Sequence, residues 1–298
     1  MANTDVGVAA GGLGKTIAAA IVQFNKAAVT PATISMAAAV KGSNTVQFPV
    51  YSKLAVTAVT NEATGDEDTE VAATSITTAA TSVEVLRNHI NARVTDLAAY
   101  GNSDALMVNA GQVLGNAVAA EFDANICARF DAFATSKGTS TEGLTWVDIM
   151  DAVASLETND APRPYSAVLH PQQMYGSFGL SNELGQVAAV NNSNGAFGAG
   201  SSTAEQFLQA GFVTTLAGIN FYTSPQVIDG SDSTEKKGAI YAKTALGCGY
   251  IDFGGGSFIE MRTERNELGA STNLVANGYW ASAELVDLHG VEIFTEIS

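Results

Sequence analysis

Five carboxylates crowd into nine residues, Glu62, Asp66, Glu67, Asp68 and Glu70, around Gly65. Carboxylates around a glycine are the raw material of a calcium loop. That loop needs about six to eight oxygen ligands at alternating positions, closed by a bidentate glutamate, and this spacing departs from it. No base lies between Lys53 and Arg87, so the stretch is expected to face solvent or a partner. The other apparent motif is Ala9 to Thr16, AAGGLGKT, which imitates a phosphate-binding loop. Its first glycine position is Ala9, no apolar strand precedes it, and no later strand ends in a carboxylate placed for magnesium, so no nucleotide is expected at Gly14, Lys15 and Thr16. His89, His170 and His289 are far apart and in no metal-ligand spacing. Cys127 and Cys248 form no motif; Cys127 reads as a small buried hydrophobe, with a disulfide left open. No catalytic, cofactor-binding or metal-binding residue is expected.

Composition bounds the remaining choices. The chain has 298 residues, 46% hydrophobic and only 15% charged, with a net charge of −16. An ordinary soluble domain has about 25% charged residues. So few charges suggest a surface covered by copies of the chain or by partners. The acidity disfavours direct, sequence-specific binding to nucleic acid. Asp5 stands where a signal peptide would be basic, and no segment reaches about 18 uninterrupted apolar residues, so neither export nor a membrane span is expected.

The element expected to organise the fold runs from Ser103 to Lys137. Leu114, Val118, Phe122, Ile126, Phe130 and Phe133 recur at four, four, four, four and three, one stripe of a 3.6-residue helix. Ser103 is the expected N-cap and Gly138 the residue after the end. The rod would be about 50 Å long. Gly111 and Gly115, one turn apart, each weaken it by about 1 kcal/mol relative to alanine, and a bend is expected there.

Around that helix the pattern is strand-rich. Asn44 to Val59 and Ala72 to Val85 alternate with β-branched residues and read as a long hairpin with the acidic stretch at its tip. An isolated hairpin of this length is marginal in water, so it must lie on something. A second helix opens at Thr145, with Asp148 completing a capping box, Leu144 and Ile149 as a staple, and Ile149, Met150, Val153 and Leu156 as the buried face. YSAVL, 165 to 169, reads as a buried strand, and His170-Pro171 starts a short helix through Phe178. Residues 181 to 204 read as a Gly/Asn/Ser-rich loop. Strand, turn at Gly218 and strand follow over 210 to 227, then a polar tip at 229 to 238. Strands are expected at 238 to 243, 256 to 262, 273 to 283 and 291 to 297. Helices framed by strands, without βαβ repeats, give an α+β class.

The order of these parts resembles the major capsid protein of a tailed bacteriophage, with the Hong Kong 97-type capsid fold. The resemblance is carried by YSAVLHPQQMYGSF, by G-F-x-x-x-x-x-G-I-x-F-Y-x-S from Gly211 to Ser224, by AIYAKTALGCGY and by NGYWASAELVDLHGVEIF. It implies an N-terminal arm at 1–40, an extended loop at 41–86, and a peripheral domain with the spine helix at 87–164. An axial domain would follow at 165–245 and peripheral return strands at 246–298. It further implies pentamers and hexamers closing an icosahedral shell around double-stranded DNA. A separate scaffolding protein, a portal and optional decoration proteins would be its partners. It also implies no cofactor, no enzymatic activity, assembly in the host cytoplasm and residence in the virion. The shell of a cellular nanocompartment, which shares the fold, is the alternative. On this reading the hairpin tip crosses onto the next subunit, where Arg87, Arg93, Arg129, Arg262 and Arg265 are candidate partners. Arg262 and Arg265, three apart in MRTER, are favoured.

Overall fold

The computed structural model describes residues 28–40, 42–51, 75–76, 78–96, 105–181, 215–216, 218–253 and 258–297. The phosphate-loop imitation, most of the expected N-terminal arm, the expected N-cap Ser103, the acidic stretch 62–70 and most of the 181–204 loop lie outside these residues.

Two sheets and one long helix build the body. The first sheet is organised around a single 14-residue strand, β12 (Ser271–Glu284). One edge of β12 carries two strands end to end: β10 (Leu246–Tyr250) along its C-terminal half and β11 (Ile259–Asn266) along its N-terminal half, both antiparallel. The other edge carries β4 (Leu86–Thr95), antiparallel over ten residues from Thr95↔Ser271 to Leu86↔Trp280. β1 (Ser35–Ala38) adds to β10 in parallel. Side chains on a strand alternate faces. Leu274, Ala276 and Trp280 therefore turn inward, while Asn273, Val275, Asn277, Tyr279 and Ala281 turn outward. Gly278 belongs to the inner row because the Trp280 ring folds over it and would collide with a Cβ there.

The second sheet runs β5 (Ser136–Lys137), β13 (Gly290–Glu296), β9 (Glu235–Ala242), β6 (Tyr165–Leu169), β8 (Ile219–Thr223), β7 (Thr215–Leu216). The YSAVL strand expected to be buried is buried at every residue. Tyr165, Ala167 and Leu169 of β6, with Ile240 and Ala242 of β9, face the helix α2 (Trp146–Thr158). Val168, Ala239 and Tyr241 face the opposite way, into the core around the long helix. A strand covered on both faces reads as a continuous apolar run, which is what YSAVL is. The last strand of the chain, β13, also belongs to this sheet, so the sheets interleave the expected domain segments 165–245 and 246–298.

The long helix α1 (Ala105–Cys127) bridges the two sheets. All six stripe residues are buried. Phe122 packs on Trp280 and Phe258 of the first sheet, with ring centroids 5.6 and 5.3 Å away. Phe130 packs on Tyr241 of the second sheet at 5.5 Å. The helix nevertheless stops at Cys127, ten residues before the expected end. Arg129 N–H already turns back to the Ile126 carbonyl, and residues Phe130–Ala132 form a 3-10 turn. The final stripe interval is three rather than four, and i and i+3 eclipse in a 3-10 turn. That tightening keeps Phe130 and Phe133 on the buried side after the α-helix has ended.

α2 starts as expected. Thr145 Oγ1 accepts from Asp148 N–H at 3.2 Å, and Asp148 Oδ2 accepts from Thr145 N–H at 3.1 Å. Ile149, Ala152, Val153 and Leu156 are its buried face. Met150, expected there, is 40% exposed, because it sits about 100° round the helix from Ile149. The helix after His170-Pro171 is one short turn, α3 (Pro171–Tyr175), ending before the expected Phe178.

The base of the expected hairpin is β2 (Thr45–Tyr51) paired antiparallel with β3 (Thr78–Glu84). Val46, Phe48, Val83 and Val85 lie on the outer face of the first sheet, against Ala281, Tyr279 and Ala283. Gly249 of β10 stands under Val46, whose side chain would be 3.0 Å from a Cβ there, so glycine permits the close approach. The hairpin base does lie on something, the C-terminal half of β12.

Candidate assembly surface

The hairpin base covers only half of the outer face of the first sheet. Among the described residues nothing covers the N-terminal half of β12, with β4 and β11 beside it, and that half is a polar face. Direct cross-strand partners share a face, so three columns can be read from the register. β4 presents Arg87, His89, Asn91 and Arg93; β12 presents Tyr279, Asn277, Val275 and Asn273; β11 presents Glu260, Arg262 and Glu264. Arg87 donates from Nε and Nη2 to Asn277 Oδ1 at 3.2 and 2.9 Å. Arg93 donates from Nε to Asn273 Oδ1 at 3.2 Å. Both asparagines are only 9% exposed.

Of the two favoured arginines, Arg262 shares this face and Arg265 does not. Arg262 binds Glu260 Oε1 through Nε at 2.8 Å and Nη2 at 2.7 Å. Arg265 takes both oxygens of Asp96 and meets Glu267 at 3.3 Å, and the guanidinium beside Asp96 holds that carboxyl below its usual range. Each is already neutralised within its own chain. Spaced three apart on a strand, they also point to opposite sides of the sheet. Arg129 donates to Ser282 Oγ at 3.2 Å.

Gly111 and Gly115 are both buried, and α1 continues through them as one α-helix.

Sequence reasoning missed two features. The first is β4, a strand that the expected elements do not include. Its signal is the alternation of Ile90, Ala92 and Val94, hidden because every intervening residue is polar or charged. The second is Asp123, 3% exposed on the buried side of α1. Its carboxylate accepts Val29 N–H at 3.1 Å, Thr30 N–H at 3.1 Å and Thr30 Oγ1–H at 2.6 Å. It thus closes the start of the 3-10 turn Thr30–Ala32 from another element. Thr33 Oγ1 then shares a 2.7 Å hydrogen bond with Tyr241 Oη. The root of the N-terminal arm is therefore tied to both the long helix and the second sheet. Burial raises the Asp123 pKa, and the bonds from Thr30 and Val29 offset that only in part. The signal was a carboxylate four residues after Ala119 and four before Cys127, on a stripe otherwise apolar.

The remaining candidates resolve into structural roles. His170 caps α3, its Nδ1 accepting Gln172 N–H at 3.2 Å. Gln173 completes that cap and donates from Nε2 to the Lys236 carbonyl at 3.0 Å and Thr295 Oγ1 at 2.8 Å, joining α3, β9 and β13. Cys127 and Cys248 are free and buried; burial raises both thiols, Cys248 to about 12. Among the described residues no group of His, Cys, Asp or Glu is arranged to hold a metal ion.

No family model and no curated protein matches the sequence. Solved structures do match. The capsid of Ralstonia phage GP4 superimposes with a TM-score of 0.64 at 13% identity, over 89% of this chain and 87% of that one. The capsid of cyanophage P-SCSP1u gives 0.61 at 16% identity, over 89% and 87%. An encapsulin from Synechococcus elongatus, in its holo-SrpI complex, gives 0.57 at 11%, over 89% and 86%. With its bridging helix, its two sheets and its hairpin base, this chain has the α+β fold of the tailed-phage capsid proteins.

Proposed function

We propose that this chain is the major capsid protein of a tailed bacteriophage, of the Hong Kong 97 type. It would self-assemble into pentamers and hexamers of an icosahedral head enclosing double-stranded DNA. The observation that carries this is the likeness to phage capsids over about nine tenths of both chains. The low fraction of charged residues and the polar outer face of the first sheet, uncovered among the described residues, support it. The net charge of −16 suits a container wall that does not hold its DNA tightly. The role is structural, in the virion, with a separate scaffolding protein and a portal as partners during assembly in the host cytoplasm.

Within the shell, the stretch Glu62, Asp66, Glu67, Asp68 and Glu70 contacts the neighbouring subunit. Arg262 and Arg265 would have to leave their own carboxylates to receive it. Gly111 and Gly115 are the place where the spine helix bends when the shell changes size. A Gly111→Ala/Gly115→Ala variant is expected to stiffen the rod and hinder expansion; particles that assemble and expand like the parent remove that role.

Electron microscopy of the purified protein, with nuclease-protected nucleic acid measured in the same particles, tests the main reading. Closed shells that protect double-stranded DNA when formed in infected cells support it. Shells loaded with a protein cargo and no DNA favour the nanocompartment, the second reading that the encapsulin likeness raises. Saturable ATP binding lost in Lys15→Ala would contradict a purely structural role.

A further inference from the structure

One seam in the core is polar on both sides. The arm root brings Thr30 and Thr33 to it, and the body brings Asp123 of α1 and Tyr241 of β9, all four buried. Thr30 Oγ1 donates to Asp123 Oδ1 at 2.6 Å, and the N–H groups of Val29 and Thr30 donate to the same carboxylate. Thr33 Oγ1 gives its one proton to the Thr30 carbonyl at 2.8 Å, so the bond at 2.7 Å is donated by the Tyr241 hydroxyl. Residues 28–34 take no part in either sheet; the first strand after them is β1, from Ser35. Parting this seam hands hydroxyls and a carboxylate to water and exposes little of the apolar area that holds the sheets together. Ile34, buried in the core around Phe122, remains as the anchor beyond it.

The seam is also electrically one-sided. Among the described residues no base pairs with Asp123. Its surroundings are the donors of Val29 and Thr30 on the arm, Cys127 on its own helix and Tyr241 on β9, with Tyr222 of β8 beside Tyr241. Burial pushes the Cys127 thiol and the Tyr241 phenol up, so both stay neutral. With the seam shut, burial disfavours the Asp123 carboxylate and the bonds from Thr30 and Val29 offset that only in part. With the seam parted, the carboxyl returns to water and to its ordinary hold on a proton.

We propose that residues 28–33 form a latch that opens at Ile34 without unfolding the two sheets, and that the proton on Asp123 sets how tightly it is shut. Proton uptake favours the shut form, and proton loss as pH rises favours the open one. The chain preceding residue 28 leaves from this point, so the latch decides whether that stretch starts from the body or from a free tether. The latch belongs to one subunit and does not depend on the shell reading.

Hydrogen exchange of the dissociated full chain tests it, read as protection factors so that the pH dependence of exchange itself is removed. The amides of Val29 and Thr30 should lose protection as pH rises from about 4 to about 8, while those of 165–169 keep theirs. Asp123→Asn cannot ionise, and protection at 29 and 30 should then be level across that range. Tyr241→Phe removes the donor to Thr33 but leaves Asp123; it should lower protection at 29 and 30 about fivefold and keep the pH slope. Lys26→Gln, at the nearest base preceding the seam in the sequence, should also keep the slope. Loss of protection at 165–169 in step with 29 and 30 means that the seam parts only with the body, and overturns the latch. A parent slope that is absent or opposite in sign, that survives Asp123→Asn or that vanishes in Lys26→Gln overturns the control by Asp123.

Discussion

The two sheets of this protein solve opposite problems. The second sheet is dry on both faces at its centre, β6 and the end of β9: α2 covers one side through Ile149, Val153 and Leu156, and the core around Phe130 and Tyr241 covers the other. The first sheet is dry only inside, against α1. Its outer face is apolar where the hairpin base lies and polar where nothing of the described chain lies. A sheet buried on both sides is complete in one subunit. A sheet whose polar face carries buried asparagines and uncompensated arginines is fitted to meet another surface. On the shell reading, fold and assembly fall to different sheets, with the long helix packed against both.

The largest effects should come from the sheet that is complete. Phe221→Ala in β8, at a side chain only 1% exposed, is expected to cost about 3–5 kcal/mol in denaturant unfolding of the dissociated subunit. Val275→Thr on the outer face should shift the same transition by about 0.5 kcal/mol or less. Equal costs at both sites would erase the distinction between the sheets.

The next effect concerns the joint between arm, helix and sheet. Asp123→Ala orphans two backbone N–H groups and the Thr30 hydroxyl, at about 3 kcal/mol. The pH dependence has a definite sign. Burial raises the folded pKa above the ordinary 3.8, so the folded protein holds this proton more tightly than the unfolded chain. The stability that protonation contributes is fully present below that ordinary value and is lost as pH rises through the raised one. Denaturant midpoints across that window should show this loss in the parent and not in Asp123→Asn. Within the second sheet, Gln173→Leu removes the bonds to Lys236 and Thr295 and should cost about 1–3 kcal/mol.

The smallest effect on the isolated subunit should be Arg87→Gln/Arg93→Gln, about 0.5 kcal/mol or less at each exposed site. On the shell reading its effect on assembly should be far larger than its effect on the isolated subunit. A double variant that unfolds the subunit would place these arginines in the fold rather than at the interface.

What the sequence showed and hid follows the same division. The second sheet was legible because a strand buried on both faces must be an unbroken apolar run, and YSAVL admits no other reading beside a following His-Pro. The capping box at Thr145 and Asp148 was legible because it is a local device with a fixed spacing. The early end of α1 was hidden because a 3-10 turn preserves the apolar stripe that marks a helix; only the last interval, Phe130 to Phe133, differed. β4 was hidden because its outer residues are charged, and they are charged because that face has no cover within the chain. The pairing of Arg265 with Asp96 was hidden for another reason. Asp96 lies 169 residues away and arrives only through the pairing of β4 and β11 with β12.

Hydrogen exchange of the amides in assembled particles, compared with dissociated subunits under the same conditions, tests the division of labour most directly. The shell reading predicts strong new protection across 86–95 and 271–279 on assembly, with 165–169 and 239–242 already protected and unchanged. Unchanged exchange across 86–95 in well-formed particles would contradict it.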